Sequence, residues 1–100
     1  MYIIGRSQLK EFAIKHADSL SIISTWEITV KNACWKKGID VKNTYPKAKI
    51  INKNLVSFKI NGNKYRLVAD INYLEGVVEV VFVGTHNEYD AFNAKTSSTR

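Results

Sequence analysis

Hydrophobic positions follow two regimes along the chain. Over residues 2–34 they recur at helical spacing, and over residues 56–83 they alternate or run together as in strands. Tyr2, Ile3, Ile4 and Gly5 read as a short apolar strand. Leu9, Phe12, Ala13 and His16 then share one helical face, with Ser7 the expected N-cap. Asp18 or Ser19 opens a second helix, in which Leu20, Ile23, Glu27, Val30 and Cys34 form a stripe flanked by Ile22, Trp26 and Ala33. Almost no connector separates the two, so the pattern predicts an αα-hairpin.

Residues 35–54 change character. Trp35-Lys36-Lys37-Gly38 stops the helix, Asp40 to Tyr45 allows one more turn, and Pro46 closes it. Lys47 to Asn54 is a basic connector with a short strand expected at Ile50-Ile51. Alternation follows: Val56, Phe58 and Ile60 against Ser57 and Lys59, then a turn at Asn61-Gly62-Asn63. Residues 64–73 form the next strand, with Tyr65, Leu67, Ala69, Ile71 and Tyr73 on one face and Arg66, Val68, Asp70 and Asn72 on the other. After Leu74-Glu75-Gly76, residues 77–83 are apolar except Glu79, as in a covered strand. The sum is a three-stranded antiparallel meander after two helices. Gly84-Thr85 ends it, His86 to Phe92 makes a last short helix, and residues 94–100 read as a frayed polar tail.

Composition narrows the class. One hundred residues, 45% hydrophobic and 24% charged, fit a single globular domain, here 1–93 with the tail at 94–100. No apolar run approaches the roughly 20 residues of a spanning helix. Arg6 ends the N-terminal apolar stretch too early for a secretory signal. The lone Cys34 excludes an internal disulfide and a Cys-rich zinc site; it reads as a small core residue in a cytoplasmic protein. His86, Glu88 and Asp90 match no strong metal-ligand spacing, so neither metal nor cofactor is expected.

Charge is unevenly placed. Residues 31–66 hold ten basic groups and one acid, a segment charge of +9, whereas the other 64 residues hold five basic and eight acidic groups, or −3. Such a block points to an anionic partner, whether nucleic acid or an acidic protein; the plain alternative is a solvated lysine-rich surface. The turns give a register. Pairing Ile60 with Tyr65 and Tyr73 with Val77 puts Lys59 opposite Arg66, Arg66 opposite Gly84, and Lys64 near His86. Two facing cations repel unless an anion lies between them, and phosphate suits an Arg fork beside a Lys. Asp70 and Glu79 are the groups that would otherwise neutralise this face. His86 supplies a side chain that moves protons near neutral pH, with Tyr89 one helical turn on.

The chain resembles the HigB family of type II toxins, within the wider RelE-like superfamily. The resemblance runs from Ile3-Ile4-Gly5-Arg6-Ser7 with Leu9 and Phe12, through Trp35-Lys36 and Tyr45-Pro46. It is most specific in Gly62-Asn63-Lys64-Tyr65-Arg66-Leu67-Val68 and in Phe82-Val83-Gly84-Thr85-His86-Asn87-Glu88-Tyr89-Asp90. It implies an α+β fold, with an N-terminal helical hairpin packed on a small twisted antiparallel sheet and a short C-terminal helix. It implies translation-dependent mRNA cleavage and neutralisation by a HigA-like helix-turn-helix antitoxin. Operator DNA would be met only through the toxin–antitoxin complex, and the ribosome is a further expected partner.

The implied chemistry is metal-free attack of the 2′-hydroxyl on the scissile phosphate. Arg66 matches the family's strand arginine and is expected to clamp the phosphate, with Lys59 and Lys64 adding charge. His86 is expected to protonate the departing 5′-oxygen. Tyr89 would share proton transfer or stack on a base, and Asp90 would orient His86. Lys36, Lys37, Lys53 and Asn63 would bind RNA. Many RelE-like enzymes have an arginine where His86 falls and a tyrosine near Phe92. Phe92 has no hydroxyl, so that role passes to Tyr89 or is missing. The competing reading is a non-catalytic RNA- or ribosome-binding module that blocks translation. A third treats the basic block as a docking surface for an acidic antitoxin.

Overall fold

A computed structural model describes residues 1–98, with side chains to Phe92. The order is β1 (Tyr2–Ile4), α1 (Arg6–Lys15), a 3-10 turn (Ala17–Ser19), α2 (Leu20–Asn32), α3 (Gly38–Thr44), β2 (Lys49–Ile50), β3 (Leu55–Ile60), β4 (Tyr65–Asn72), β5 (Val77–Thr85) and α4 (His86–Ser98). The fold is α+β, with a helical hairpin on the sheet. The sheet has five strands in the order β1-β5-β4-β3-β2 and is mixed. The expected meander is β3-β4-β5. To it β1 adds in parallel beside β5, which the three apolar residues Tyr2–Ile4 could not announce alone.

One sheet face is buried by the hairpin. Leu9 and Phe12 of α1, and Ile23, Trp26 and Val30 of α2, pack on Phe58, Ile60, Leu67, Ala69, Ile71, Val78 and Val80. Trp26 meets the Phe58 ring edge-on at 5.4 Å, and Trp35 stacks on Phe58 at 6.2 Å. Full burial of side chains this size contributes about 1.5–3 kcal/mol each. The Lys36 and Lys37 amides donate to the Asp40 carboxylate at 2.8 and 3.2 Å, which satisfies the free amides where α3 begins.

Five expectations are corrected. The residue before α1 is Gly5, not Ser7. Gly5 has φ +83°, and an added Cβ would lie 2.8 Å from the Val80 carbonyl oxygen, so glycine lets β1 turn into α1 against β5. Cys34 is exposed, because α2 ends at Asn32 and Ala33 is extended, which breaks the helical period that put Cys34 on the apolar stripe. The α3 helix starts at Gly38, and β2 is Lys49–Ile50. The last helix continues past Phe92 to Ser98, so the expected tail is helical that far; Thr99 and Arg100 lie outside the described residues.

The second sheet face is covered by α4. Phe82 of β5 stacks on Phe92 at 4.7 Å and meets Tyr89 at 6.4 Å. Gly84 makes room for this return: a Cβ there would be 2.7 Å from the Phe82 ring and 2.9 Å from Glu88 Oε1. Glu88 accepts the Thr85 amide at 2.8 Å and Thr85 Oγ1 accepts the Glu88 amide at 3.3 Å, a reciprocal cap on the start of α4.

Candidate active site

The β3–β4 register is the expected one, with Lys59 opposite Arg66 and Ile60 opposite Tyr65. Arg66 also faces Gly84, but by a different route. At the turn it is Asn72, not Tyr73, that pairs with Val77; Val68 then pairs with Phe82 and Ala69 with Val80. Val81 is therefore an extra residue in β5, and this bulge shifts the register by one before Arg66 is reached. Asp70 faces Glu79, four residues along β4 from Arg66, and so does not neutralise it.

The candidate residues divide into two groups. Arg66 is only 7% exposed. Its Nη1 donates to the carbonyls of Asn63 at 2.9 Å and Tyr65 at 3.2 Å, and its Nη2 to Asn63 Oδ1 at 3.3 Å. The guanidinium lies 5.7 Å from the centre of the Tyr89 ring. It thus holds the Asn61–Lys64 turn in shape, a geometry a planar fork provides and an ammonium does not. The guanidinium expected to clamp the phosphate is thus engaged by backbone carbonyls and lies over Tyr89. Tyr89 is buried between Arg66 and Phe82, so its ring presents no open face for stacking on a base. Among the described residues its hydroxyl has no hydrogen-bond partner.

The second group is open to solvent. Lys64, Tyr65, Thr85, His86 and Asn87 line a depression of about 420 Å³, completed by His16. The β4–β5 ladder makes it, since the His86 amide donates to the Lys64 carbonyl at 3.2 Å where the strands end. The exposed His86 holds Asp90 through Nδ1 at 3.3 Å, one turn along α4. Arg66 does not contribute to this depression.

Lys64 is not a free cation. Its Nζ meets Asp18 Oδ2 at 2.7 Å, while Tyr65 donates its hydroxyl to Asp18 Oδ1 at 2.8 Å and Asn61 Nδ2 donates to Oδ2 at 3.1 Å. The Lys64 hydrogen bond, then that of Tyr65, holds the Asp18 carboxyl below the usual range. The same contact with Asp18 pushes Lys64 up. Tyr65 is also pushed up, first by burial and then by its bond to Asp18. Asp18 and Tyr65 were legible only as a helix start and a core aromatic, because their convergence spans 46 and 47 residues of chain.

Of the remaining candidates, Lys36, Lys37, Lys53, Lys59 and Asn63 are all exposed. Lys59 lies on β3 facing Arg66 and borders a groove with Tyr45, Pro46, Lys47, Ala48, Phe58 and Gly62. Lys36 and Lys37 precede α3, and Lys53 lies between β2 and β3. Among the described residues, no three His, Cys, Asp or Glu side chains gather as a metal-ligand set.

Known proteins match this chain over most of its length. The sequence profile described as "HigB_toxin, RelE-like toxic component of a toxin-antitoxin system" matches residues 19–92. The chain is 29% identical over 97 residues to the mRNA interferase toxin HigB of Escherichia coli (strain K12), covering 94% of this chain and 92% of that protein. Identity and coverage are the same for proteins called mRNA interferase HigB in Escherichia coli O157:H7 and Shigella flexneri.

Proposed function

Since the chain belongs to the HigB family of RelE-like toxic components of toxin-antitoxin systems, we propose that it is an endoribonuclease that cleaves mRNA and so inhibits translation. The observation that carries the reading is the open depression where Lys64 and the His86–Asp90 pair meet. An ammonium beside an imidazole is what a phosphodiester needs to be cut without a further reagent. The cation offsets charge as the 2′-oxygen attacks, and the imidazolium gives a proton to the 5′-oxygen as it leaves. Asp90, 3.3 Å from Nδ1, orients the ring and leaves Nε2 as the donating edge.

Other residues have supporting roles in this reading. Lys36, Lys37, Lys53 and Lys59 track the RNA backbone or ribosomal RNA along the basic half of the molecule. Arg66 shapes the turn that carries Lys64; direct contact of Arg66 with phosphate requires Tyr89 and α4 to move aside. The protein acts in the cytoplasm on ribosome-bound mRNA. A HigA-like helix-turn-helix antitoxin neutralises it, and that complex binds operator DNA.

The test is end mapping. Purified protein is given a short RNA, free or bound in programmed ribosomes, with chelator in parallel samples, and the 5′ ends are sequenced. New ends bearing a 5′-hydroxyl are expected, chelator or not. No new ends in either substrate, with translation still blocked, would replace cleavage by a binding block.

A further inference from the structure

The reading above assigns an acid but no base, and the depression contains a second imidazole. We propose that His16 is that base: a phosphodiester held at Lys64 lies between two histidines, His16 taking the proton from the 2′-hydroxyl and His86 giving one to the 5′-oxygen. The inference rests on the proposed RNA cleavage and adds a catalytic residue to it.

The position of His16 is built rather than incidental. Its amide donates to the Phe12 carbonyl at 2.8 Å, and its carbonyl accepts from the Ser19 amide at 2.9 Å and the Ser19 hydroxyl at 2.7 Å. Ser19 is fully buried, so this corner between α1 and α2 is fixed. The imidazole packs against both Phe12 at 4.4 Å and Tyr65 at 5.0 Å. Two parts of the chain distant in sequence thus hold the ring at the wall of the depression that His86 bounds.

The other groups there are poor bases. Lys64 is kept as the ammonium by Asp18. The Tyr65 hydroxyl is committed to Asp18 as a donor. The Asp18 carboxylate already accepts from Lys64, Tyr65 and Asn61. Thr85 and Asn87 do not take up protons near neutral pH. Imidazole does.

The two histidines also differ in a way that divides the labour. His86 has Asp90 within ion-pair distance, whereas among the described residues no carboxylate lies within 4.0 Å of a His16 ring nitrogen. The charged groups facing His16 are Glu11 and Lys15 from α1, Glu88 from α4, Lys64 from the turn before β4 and His86 across the opening. Glu88 is occupied by the Thr85 amide. The ring oriented by Asp90 is assigned the acid, and the ring oriented by Phe12 and Tyr65 the base.

The step balances. The O2′–H bond breaks with its proton to His16 as the O2′–P bond forms. The P–O5′ bond breaks as the His86 proton passes to O5′. The products are a 2′,3′-cyclic phosphate and a 5′-hydroxyl, and proton exchange with water resets both rings.

The experiment compares wild type, His16→Ala, His16→Phe and His86→Ala on a short RNA, free or in programmed ribosomes, made either with the natural linkage or with sulfur at the 5′-bridging position. Sulfur leaves without a proton, so it rescues loss of the acid but not of the base. Both His16 variants should lose about 10²–10⁴-fold in rate, as removal of a general base does, with no sulfur rescue and with the acidic limb of the pH–rate profile gone. His86→Ala should be rescued by sulfur. Phe keeps the ring contacts with Phe12 and Tyr65, so a wild-type rate or pH profile for His16→Phe overturns the proposal, as does rescue of His16→Ala by sulfur. Failure of wild type to cut either substrate instead overturns the cleavage reading, and this inference with it.

Discussion

Two cations lie two residues apart, Lys64 just before β4 and Arg66 within it, yet they occupy different environments. Lys64 stands at the mouth of an open depression, paired with a carboxylate and facing two histidines. Arg66, two residues on, is buried under Tyr89 with backbone carbonyls as its partners. Lys64 lies in the Asn61–Lys64 turn before β4 begins, with its side chain in solvent, whereas Arg66 lies within β4 on the face that α4 covers. The comparison shows that two cations near a histidine do not make one site. What separates them is the choice of hydrogen-bond partner. Lys64 has a partner that an anion can replace, whereas release of Arg66 strands buried carbonyls.

The largest effect expected from this contrast is at His86. His86→Ala should lower the cleavage rate about 10²–10⁴-fold while leaving the melting temperature near wild type, because the ring is exposed. Arg66→Ala should act in the opposite sense. It leaves carbonyls unsatisfied and removes the cation over Tyr89, for a loss of about 1–3 kcal/mol, or roughly 4–8 °C of Tm per kcal/mol. Urea titration beside the rate assay separates the two. An Arg66→Ala protein with wild-type stability and no activity would mean that the arginine touches RNA after all. Tyr89→Phe should be smaller still. The hydroxyl is buried without a partner among the described residues, so its removal should raise stability by about 1 kcal/mol and leave the rate unchanged; a large drop in rate would assign the phenol to proton transfer.

The smallest effect is the pH dependence of the Asp18–Lys64 pair. Asp18 binds its proton more weakly folded than unfolded, so its contribution is complete above the usual carboxylate pKa of about 3.9 and is lost as pH falls through the lower folded value. Lys64 is shifted up, so its contribution is complete below its usual pKa of about 10.4 and fades as pH rises through the higher folded value. Stability from the pair should be flat at intermediate pH and fall at both ends. Asp18→Asn should flatten the acidic limb in urea midpoints taken across pH; an unchanged limb would show the pair to be ornamental in solution.

Much of the frame was readable in the chain. The αα-hairpin followed from Leu9, Phe12, Ile23 and Val30 at helical spacing, and the meander from the alternation around Phe58, Leu67 and Val78. The pairing of Arg66 with Gly84 was also reached, though only because the bulge at Val81 offset a one-residue error at the Leu74–Gly76 turn. Bulges leave little trace in an apolar run such as Val77–Val83. The site was harder. Alternation told which face Arg66 takes, not that α4 would cover that face, since the apolar groups of α4 are few and Phe92 gave no sign of stacking on Phe82. His16 and Asp18 read as helix punctuation because their partners, Tyr65, Lys64 and His86, are brought to them only by the hairpin packing on the sheet.

The central claim is that RNA is cut in the open depression and not at the buried arginine. Single-turnover cleavage of one short RNA by wild type, His86→Ala and Arg66→Ala, each scored against its own melting temperature, tests it most directly. The account predicts a stable but inactive His86→Ala protein and an Arg66→Ala protein whose activity falls in step with its stability. A fully active His86→Ala enzyme would contradict it.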